Sequence, residues 1–401
     1  MRRCFGMLLL ALTALGQDPR PTGVFRARGP PRRNLRAGGG NGATENAVAL
    51  GLLWLAGHQD DDGRWDCDGF QKHDLQDDRC DGAGAAGHDV GVTGLAVLAF
   101  LGAGHTDHGS AHSWNVLRAL RFLVASQSED GCFGPKGHAQ FMYGHAIATL
   151  AICEAVAMTR DRYRKPAEDG VAFLLRAQNP GAGWRYAPRG GDSDTDVTAW
   201  CVAALRSGRL AGLDVPDRAF VDALAWIDKA TDPAGRAGYT SVGTPASRTE
   251  AMARRFPAAK TESLTAAGIF TRILCGQDPR ATEWIRRGAA LCAAKPPVWN
   301  PDDGSIDMYY WYWGSLALFH AGGPRQWGEW NDRMREALLS GQHPRGSGSR
   351  SGSWDPIDAW GLESGGRVYS TALMTMCLEV YYRYDRAFFC PPPPPSPPGN
   401  R

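Results

Sequence analysis

Net charge of either sign is nearly absent: 44 Lys and Arg stand against 42 Asp and Glu across 401 residues, a balance of +2. Without a basic field there is no electrostatic footprint for nucleic acid, and that class of partner is excluded. Long apolar runs are missing too. Mean hydropathy is −0.34, and beyond the amino terminus no uninterrupted apolar stretch has the length of a bilayer span, so no membrane span is expected. No two cysteines stand two residues apart, so the spacing of a structural zinc site is lacking and no metal ligand set is assigned. Neither a Gly-rich phosphate loop after a strand nor a Gly-x-Ser-x-Gly elbow occurs, which removes two common catalytic designs.

What the chain does have is tryptophan, fourteen in all, and a marked organisation at its ends. Met1-Arg2-Arg3, the apolar run Cys4 to Leu15 and the small residues Ala14-Leu15-Gly16 form the pattern of a cleavable signal peptide over 1–16. The expected location is therefore secreted or periplasmic. Residues 17–43 are rich in Arg, Pro and Gly and read as a linker unable to bury a core of its own. Residues 388–401 carry the run Pro391 to Pro395 and read as an extended Pro-rich tail, a plausible handle for an envelope protein partner.

Export permits disulfides. Nine cysteines remain after Cys4, so at least one is unpaired, and Cys67 with Cys80, flanking an acidic loop, is the candidate pair. Cys153, Cys201, Cys275, Cys292 and Cys377 lie in apolar segments and read as small core residues. The loop from Asp60 to Asp81 holds nine Asp and no Glu. Oxygen ligands at that density suit a structural calcium ion, although the spacing is not that of a twelve-residue calcium loop. No other cofactor is expected.

Internal similarity organises the rest. Gln59-Asp60-Asp61-Asp62-Gly63-Arg64-Trp65 is echoed by Gln127 to Phe133, by Gln178 to Trp184 and, stretched by a Gly/Ser insert, by Gln342 to Trp354. The wide gap between the third and last copies accommodates two degenerate ones, a turn ending at Tyr239 and another at Trp299, for six repeats. Amphipathic stretches (Trp114 to Gln127, Pro166 to Gln178, Asp217 to Lys229, Thr282 to Ala293, Trp327 to Leu339) alternate with stretches apolar nearly all round. The latter are Val90 to Leu101, Met142 to Met158, Val197 to Leu205, Leu264 to Leu274, Met308 to Phe319 and Val368 to Tyr381. A helix with no polar face must be enclosed. The expected fold is therefore all-α, a single (α/α)6 toroid over 44–387 with an apolar inner ring and an amphipathic outer ring. Each Gln–aromatic turn would fasten neighbouring outer helices, with Gln capping free carbonyls and the ring packing over it.

If the inner helices run parallel, their starts share one rim, where six positive dipole ends gather. The residues placed there are His88, Asp89, Thr93, Tyr143, His145, Asp194, Asp196, Thr198, Glu262, Thr265, Asp307, Tyr309, Tyr310, Arg367, Tyr369 and Ser370, with Trp313 as an aromatic wall of the cavity. Asp and Thr at such positions are also ordinary helix caps.

These turns and helix starts resemble the prenyltransferase/squalene oxidase repeat family, the squalene–hopene cyclase-like α/α toroids. The resemblance rests on Gln59 to Trp65, on Asp307-Met308-Tyr309-Tyr310-Trp311-Tyr312-Trp313 and, for secreted bacterial members of unassigned activity, on Asp89 to Leu95 and Gly366 to Leu373. Asp194-Thr195-Asp196-Val197-Thr198-Ala199 is similar to the Asp-rich acid motif of hopene-type cyclases, with Val197 in place of its third Asp. The resemblance implies Asp196 as a protonating acid, with Asp194 and His145 beside it and aromatic walls to steady a cation. The implied ligand is an apolar, isoprenoid-like molecule undergoing acid-initiated cyclisation or isomerisation. The zinc chemistry of protein prenyltransferases is excluded, because Tyr309-Tyr310 and Lys260-Thr261-Glu262 stand where its ligands would fall. The complement-type thioester sequence is absent as well. Two other uses of such a ring stay open: a polysaccharide-active enzyme pairing Asp194 or Asp196 with Glu262, and a non-catalytic binding or scaffold ring.

Overall fold

A computed structural model describes residues 34–159 and 161–384 together with Phe25 and Arg28. The expected signal peptide and Pro-rich tail lie outside the described residues. Fifteen α-helices are described, and among these residues there is no β-strand. Six helices form an outer layer: α2 (Gly42–Gly57), α4 (Ser113–Ala125), α6 (Arg164–Ala177), α8 (Asp217–Ala230), α11 (Glu283–Ala293) and α13 (Pro324–Gly341). Six alternate with them: α3 (Asp89–Gly102), α5 (Phe141–Thr159), α7 (Thr195–Leu210), α10 (Ser263–Leu274), α12 (Met308–Ala321) and α14 (Gly366–Leu378). Three short ones, α1 (Asn34–Gly38), α9 (Glu250–Arg255) and α15 (Val380–Arg383), complete the set.

Hydrophobic patterning decides the layer. In α8 the buried residues are Ala219, Phe220, Ala223, Trp226, Ile227 and Ala230, one stripe at three- and four-residue spacing with Asp and Lys opposite. In α12 every residue from Met308 to Phe319 is buried. The helices of the second set pack in sequence, α3 on α5, then α7, α10, α12 and α14, and α14 returns to α3. The ring is closed, and the chain adopts an α/α toroid. Although α5 has the length and apolarity of a bilayer span, it is an inner helix enclosed by its neighbours.

The Gln turns do their fastening through one repeated pair of hydrogen bonds. Each Gln side-chain amide donates to the carbonyl four or ten residues on and to a carbonyl early in a neighbouring outer helix. Gln59 reaches Gly63 and Asn115, Gln127 reaches Gly131 and Pro166, Gln178 reaches Ala182 and Ala219, and Gln342 reaches Gly352 and Ala47, at 2.8–3.1 Å. Trp65, Trp184 and Trp354 are buried, and each indole N–H donates to a carbonyl near the end of the preceding outer helix, at 2.8 Å. Gly63, at φ 99°, makes the reversal and lies so close to Arg118 that a Cβ would meet its carbonyl oxygen at 2.3 Å. Gln178→Ala is expected to strip two carbonyls of their donor and destabilise by about 1–3 kcal/mol. An unchanged denaturation midpoint would show that the tie carries no load.

The fourth turn corrects an expectation. Thr231 takes the Gln position and bridges to Ala237, as Gln127 does to Phe133, so Ala237 and not Tyr239 occupies the aromatic place. Tyr239 is thereby released for another use.

The stretch 17–43 is not wholly a tether. Phe25 and Arg28 are buried, residues 34–38 form α1, and Asn41 caps α2 in a reciprocal box with Thr44. Arg28 enters the end of the ring opposite the inner-helix starts. There it donates to Glu154 at 2.7 Å and to the Arg383 carbonyl at 2.9 Å. Arg383 donates to Glu379 at 3.1 Å and to the Leu98 carbonyl at 2.8 Å, while Tyr384 donates to Glu154 at 2.7 Å. The side chains of Arg28, Glu154, Glu379 and Arg383 have no solvent exposure, so this charge cluster seals the bore.

Candidate functional site

Five inner helices bring first-turn residues to one partly open cavity of about 130 Å³. Its wall includes His88 before α3, Tyr143 on α5, Asp196 and Trp200 on α7, Tyr309 on α12 and Tyr369 on α14. Loops add His138, Tyr186, Tyr239 and Trp360. Below this floor the bore is filled by aromatic packing, with Trp200 stacked on Tyr312 at 5.6 Å and edge-on to Trp313 at 4.8 Å.

Asp196 is the only carboxylate on that wall. It is 4% exposed, and burial pushes its carboxyl well above the ordinary range, with the charges of Asp194 and Asp307 pushing the same way. Burial thus favours its protonated, neutral form. Its Oδ1 makes no hydrogen bond within 3.5 Å, and neither does the hydroxyl of Tyr309 or Tyr369, although the Tyr309 hydroxyl lies close enough to the Asp196 carboxyl to oppose part of the effect of burial. Unpaired buried polar atoms are costly, and together these three point to a site built for a ligand. Asp194 stands behind it as the N-cap of α7. It accepts from the Val197 amide at 2.7 Å and the Tyr239 hydroxyl at 3.3 Å, and burial raises its carboxyl to about 7. His88 is held below its usual range by burial and by His138, whose ring lies edge-on at 4.6 Å, so His88 is neutral.

Of the residues expected at the rim, His88, Tyr143, Asp196, Tyr309 and Tyr369 meet in the cavity. The others do not. His145 was expected to orient Asp196, but its Nδ1 accepts from the Phe133 amide at 3.0 Å and its ring stacks on Phe133. That is the position filled by Thr93, Thr198, Thr265 and Thr371, whose hydroxyls accept the amides of Trp65, Trp184, Ala237 and Trp354. His145 and Thr198 are thus parts of the repeat turn, and burial drives the His145 imidazole down to about 3. Glu262 is bound to Arg236 and Lys295, both at 2.9 Å, and to Thr265 at 3.1 Å. Asp307 caps α12 and holds Arg248 and Thr261. Asp89 accepts from Arg64 and the Cys67 amide. Arg367 is paired with Asp81 and Asp355, the Tyr310 hydroxyl donates to the Cys292 and Lys295 carbonyls, and Trp313 lies in the packed floor.

Cys67 and Cys80 are not bridged. Both are buried free thiols, Cys67 donating to the Ala85 carbonyl at 3.0 Å and Cys80 lying against Asp74. Of the loop carboxylates, Asp68 lies against Asp66 and Asp89, while most of the others are held by basic side chains. Asp60 binds Lys72, His73 and Arg64, Asp66 binds Lys72, and Asp78 and Asp81 face Arg350. Basic side chains meet the loop's charge.

Sequence reasoning missed Trp200, Tyr186, Tyr239, His138 and Trp360. A signal existed for Tyr239 alone, which stands two residues past the aromatic place of its repeat.

With this geometry in view, solved structures supply the comparison. The chain is similar to a type II terpene cyclase from Scytonema in complex with merosterolic acid A, its product, at 13% identity and TM-score 0.55, covering 88% of this chain and 98% of that one. It is similar to an α-1,6-mannanase of Salegentibacter in complex with α-1,6-mannotriose, at 9% identity and TM-score 0.55, covering 85% and 98%. A protein from Actinoplanes aligns at 16% identity and TM-score 0.51, covering 85% and 99%. At these identities the likeness establishes the α/α toroid and nothing finer. No family model and no curated protein matches the sequence.

Proposed function

We propose that the protein is an exported, terpenoid-cyclase-like toroid of the prenyltransferase/squalene oxidase repeat kind. Its cavity takes the end of an apolar, isoprenoid-like alkene and protonates it from Asp196. The observation that carries this reading is a single carboxyl, unpaired at Oδ1 and pushed by burial toward its protonated form, on a wall that is mostly aromatic and apolar. An isoprenoid-like ligand also agrees with the structural likeness to a cyclase that was captured with geranylgeranyl dihydroxybenzoate.

In the proposed step the Asp196 proton is transferred to one alkene carbon, forming a C–H bond and leaving a tertiary cation and a carboxylate. The faces of Trp200, Tyr309 and Tyr369 stabilise that cation. Capture by an internal alkene closes a ring and moves the cation along the chain; in either case the cation is discharged by loss of an adjacent proton, which His88 can accept and which returns through solvent to Asp196. Net chemistry is isomerisation or cyclisation, with no co-reactant. Size sets the scale: a cavity of about 150 Å³ is known to hold one benzene ring. The enclosed part here therefore fits a single ring or one isoprene unit, and the remaining chain would extend through the open mouth.

Glycan chemistry has the mannanase likeness and the ring-sized cavity in its favour. It also requires a second carboxyl facing the first. Glu262, the expected partner, is committed to Arg236 and Lys295.

The test is incubation with polyprenyl alkenes in deuterated water. One deuterium bound to carbon in an isomerised or cyclised product is expected. Recovery of every alkene unchanged, beside turnover of an α-linked oligosaccharide, would replace this reading with the glycan one.

A further inference from the structure

Outside the cavity wall, His58, Asp74 and Cys80 bring a ring nitrogen, a carboxylate oxygen and a sulfur within 4.8 Å of one another. We propose that these three side chains bind a zinc-type divalent cation that locks the seam of the ring.

The histidine carries the argument. His58 follows α2, and its Nδ1 lies 2.8 Å from the Trp54 carbonyl, an acceptor that fixes a proton on that nitrogen. In the neutral ring Nε2 then presents a lone pair, and it is aimed at Asp74 Oδ1 from 3.0 Å. Two lone pairs at that separation require a cation between them, either a proton or a metal. An Nδ1–H held by a backbone carbonyl is the orientation that metal-binding imidazoles adopt. The Asp74 carboxylate is oriented too, since its Oδ2 accepts from the Cys80 amide at 2.8 Å. Its side chain has no solvent exposure, the His58 side chain has 8%, and Cys80 is 3% exposed.

Ligand chemistry selects the ion. A thiol, an imidazole and a carboxylate suit zinc far better than calcium or magnesium. Zinc bonds of about 2.0–2.3 Å in tetrahedral geometry place donor atoms roughly 3.3–3.8 Å apart, so a small closure of the present cluster suffices. Binding displaces the Cys80 thiol proton to solvent, leaving thiolate on the metal. Three protein ligands leave one position for water.

Position gives the site its use. The loop carrying Asp74 and Cys80 belongs to the first repeat, yet it is clasped by the insert of the last one. The Leu75 amide donates to the Ser349 hydroxyl, the Ser349 amide to Asp78, and the Trp54 indole to the Ser349 carbonyl, all at 2.8–2.9 Å. A cation here would fix the loop on which first and last repeats meet.

The full-length protein, stripped with chelator, is titrated with cobalt(II) and followed by absorption. The expected result is a thiolate-to-cobalt band saturating at about one ion per chain, displaced by zinc. The band should be lost in Cys80→Ser and retained in Cys67→Ser. Zinc should raise the melting temperature of the wild type and leave that of Asp74→Asn unchanged. Absence of the band in the wild type, or its survival in Cys80→Ser, would overturn the site in favour of a proton-bridged His58–Asp74 pair. Neither outcome depends on the chemistry proposed for Asp196.

Discussion

Asp196→Asn is expected to lower alkene conversion by roughly 10³-fold or more, the usual scale for removing a positioned general acid. At the same time it should make the protein more stable at alkaline pH. Asparagine matches the protonated carboxyl in shape but has no proton to lose. The sign follows from the direction of the shift. Burial, first, and the charges of Asp194 and Asp307 raise the folded carboxyl above its ordinary value, so the folded state holds its proton more tightly than the unfolded chain does. That contribution is complete below the ordinary carboxylate range and is lost as pH rises toward the folded value. Asp194, raised to about 7, adds a loss of the same sign between about pH 4 and 7. Stability of the wild type should therefore fall with rising pH more steeply than that of Asp196→Asn. Parallel curves for the two proteins, or a variant that still converts substrate, would remove Asp196 from its assigned place.

The second large effect concerns the sealed end of the bore. Glu154→Gln is expected to destabilise the fold by about 3–5 kcal/mol, because it leaves Arg28 and Arg383 buried without their shared carboxylate. Replacing both members of one pair, Arg28→Met with Glu154→Leu, should recover much of that loss, since Arg383 keeps Glu379. Chemical denaturation of the three proteins decides the matter. A mild Glu154→Gln would mean that water reaches this cluster.

The architecture was legible because two periodicities are written into the sequence at once. Helices such as Asp217–Ala230 keep one apolar stripe while Met308–Ala321 keeps none, and that contrast separates outer from inner except at Gly42–Gly57, an outer helix as apolar as an inner one. Gln59 with Trp65 and Gln178 with Trp184 stand at one separation because both members are bound to backbone carbonyls whose positions the fold fixes. The site was legible only where a residue had one available partner. Asp196, Tyr143, Tyr309 and Tyr369 faced the cavity as expected, whereas Tyr310 turned to backbone carbonyls. Glu262, Arg367 and Asp89 did not, since each has an oppositely charged partner on another element, Arg236, Asp81 and Arg64 among them, that no local pattern discloses. His145 misled for a different reason. Its equivalents in other repeats are threonines, and an imidazole nitrogen can accept an amide as well as a hydroxyl oxygen can. Cys67 and Cys80 flank one loop, but the loop turns each thiol toward a different carboxylate, Asp89 and Asp74.

Ring closure has a kinetic consequence. Because α14 completes the wall beside α3, and Arg383 reaches back to the Leu98 carbonyl, the pocket depends on contacts separated by some 285 residues. Such distant pairings are slow to form. A chain still being synthesised would expose the greasy faces of its early repeats until the last one arrives. Shortening the protein at α14 should therefore give an aggregating product instead of a smaller working ring.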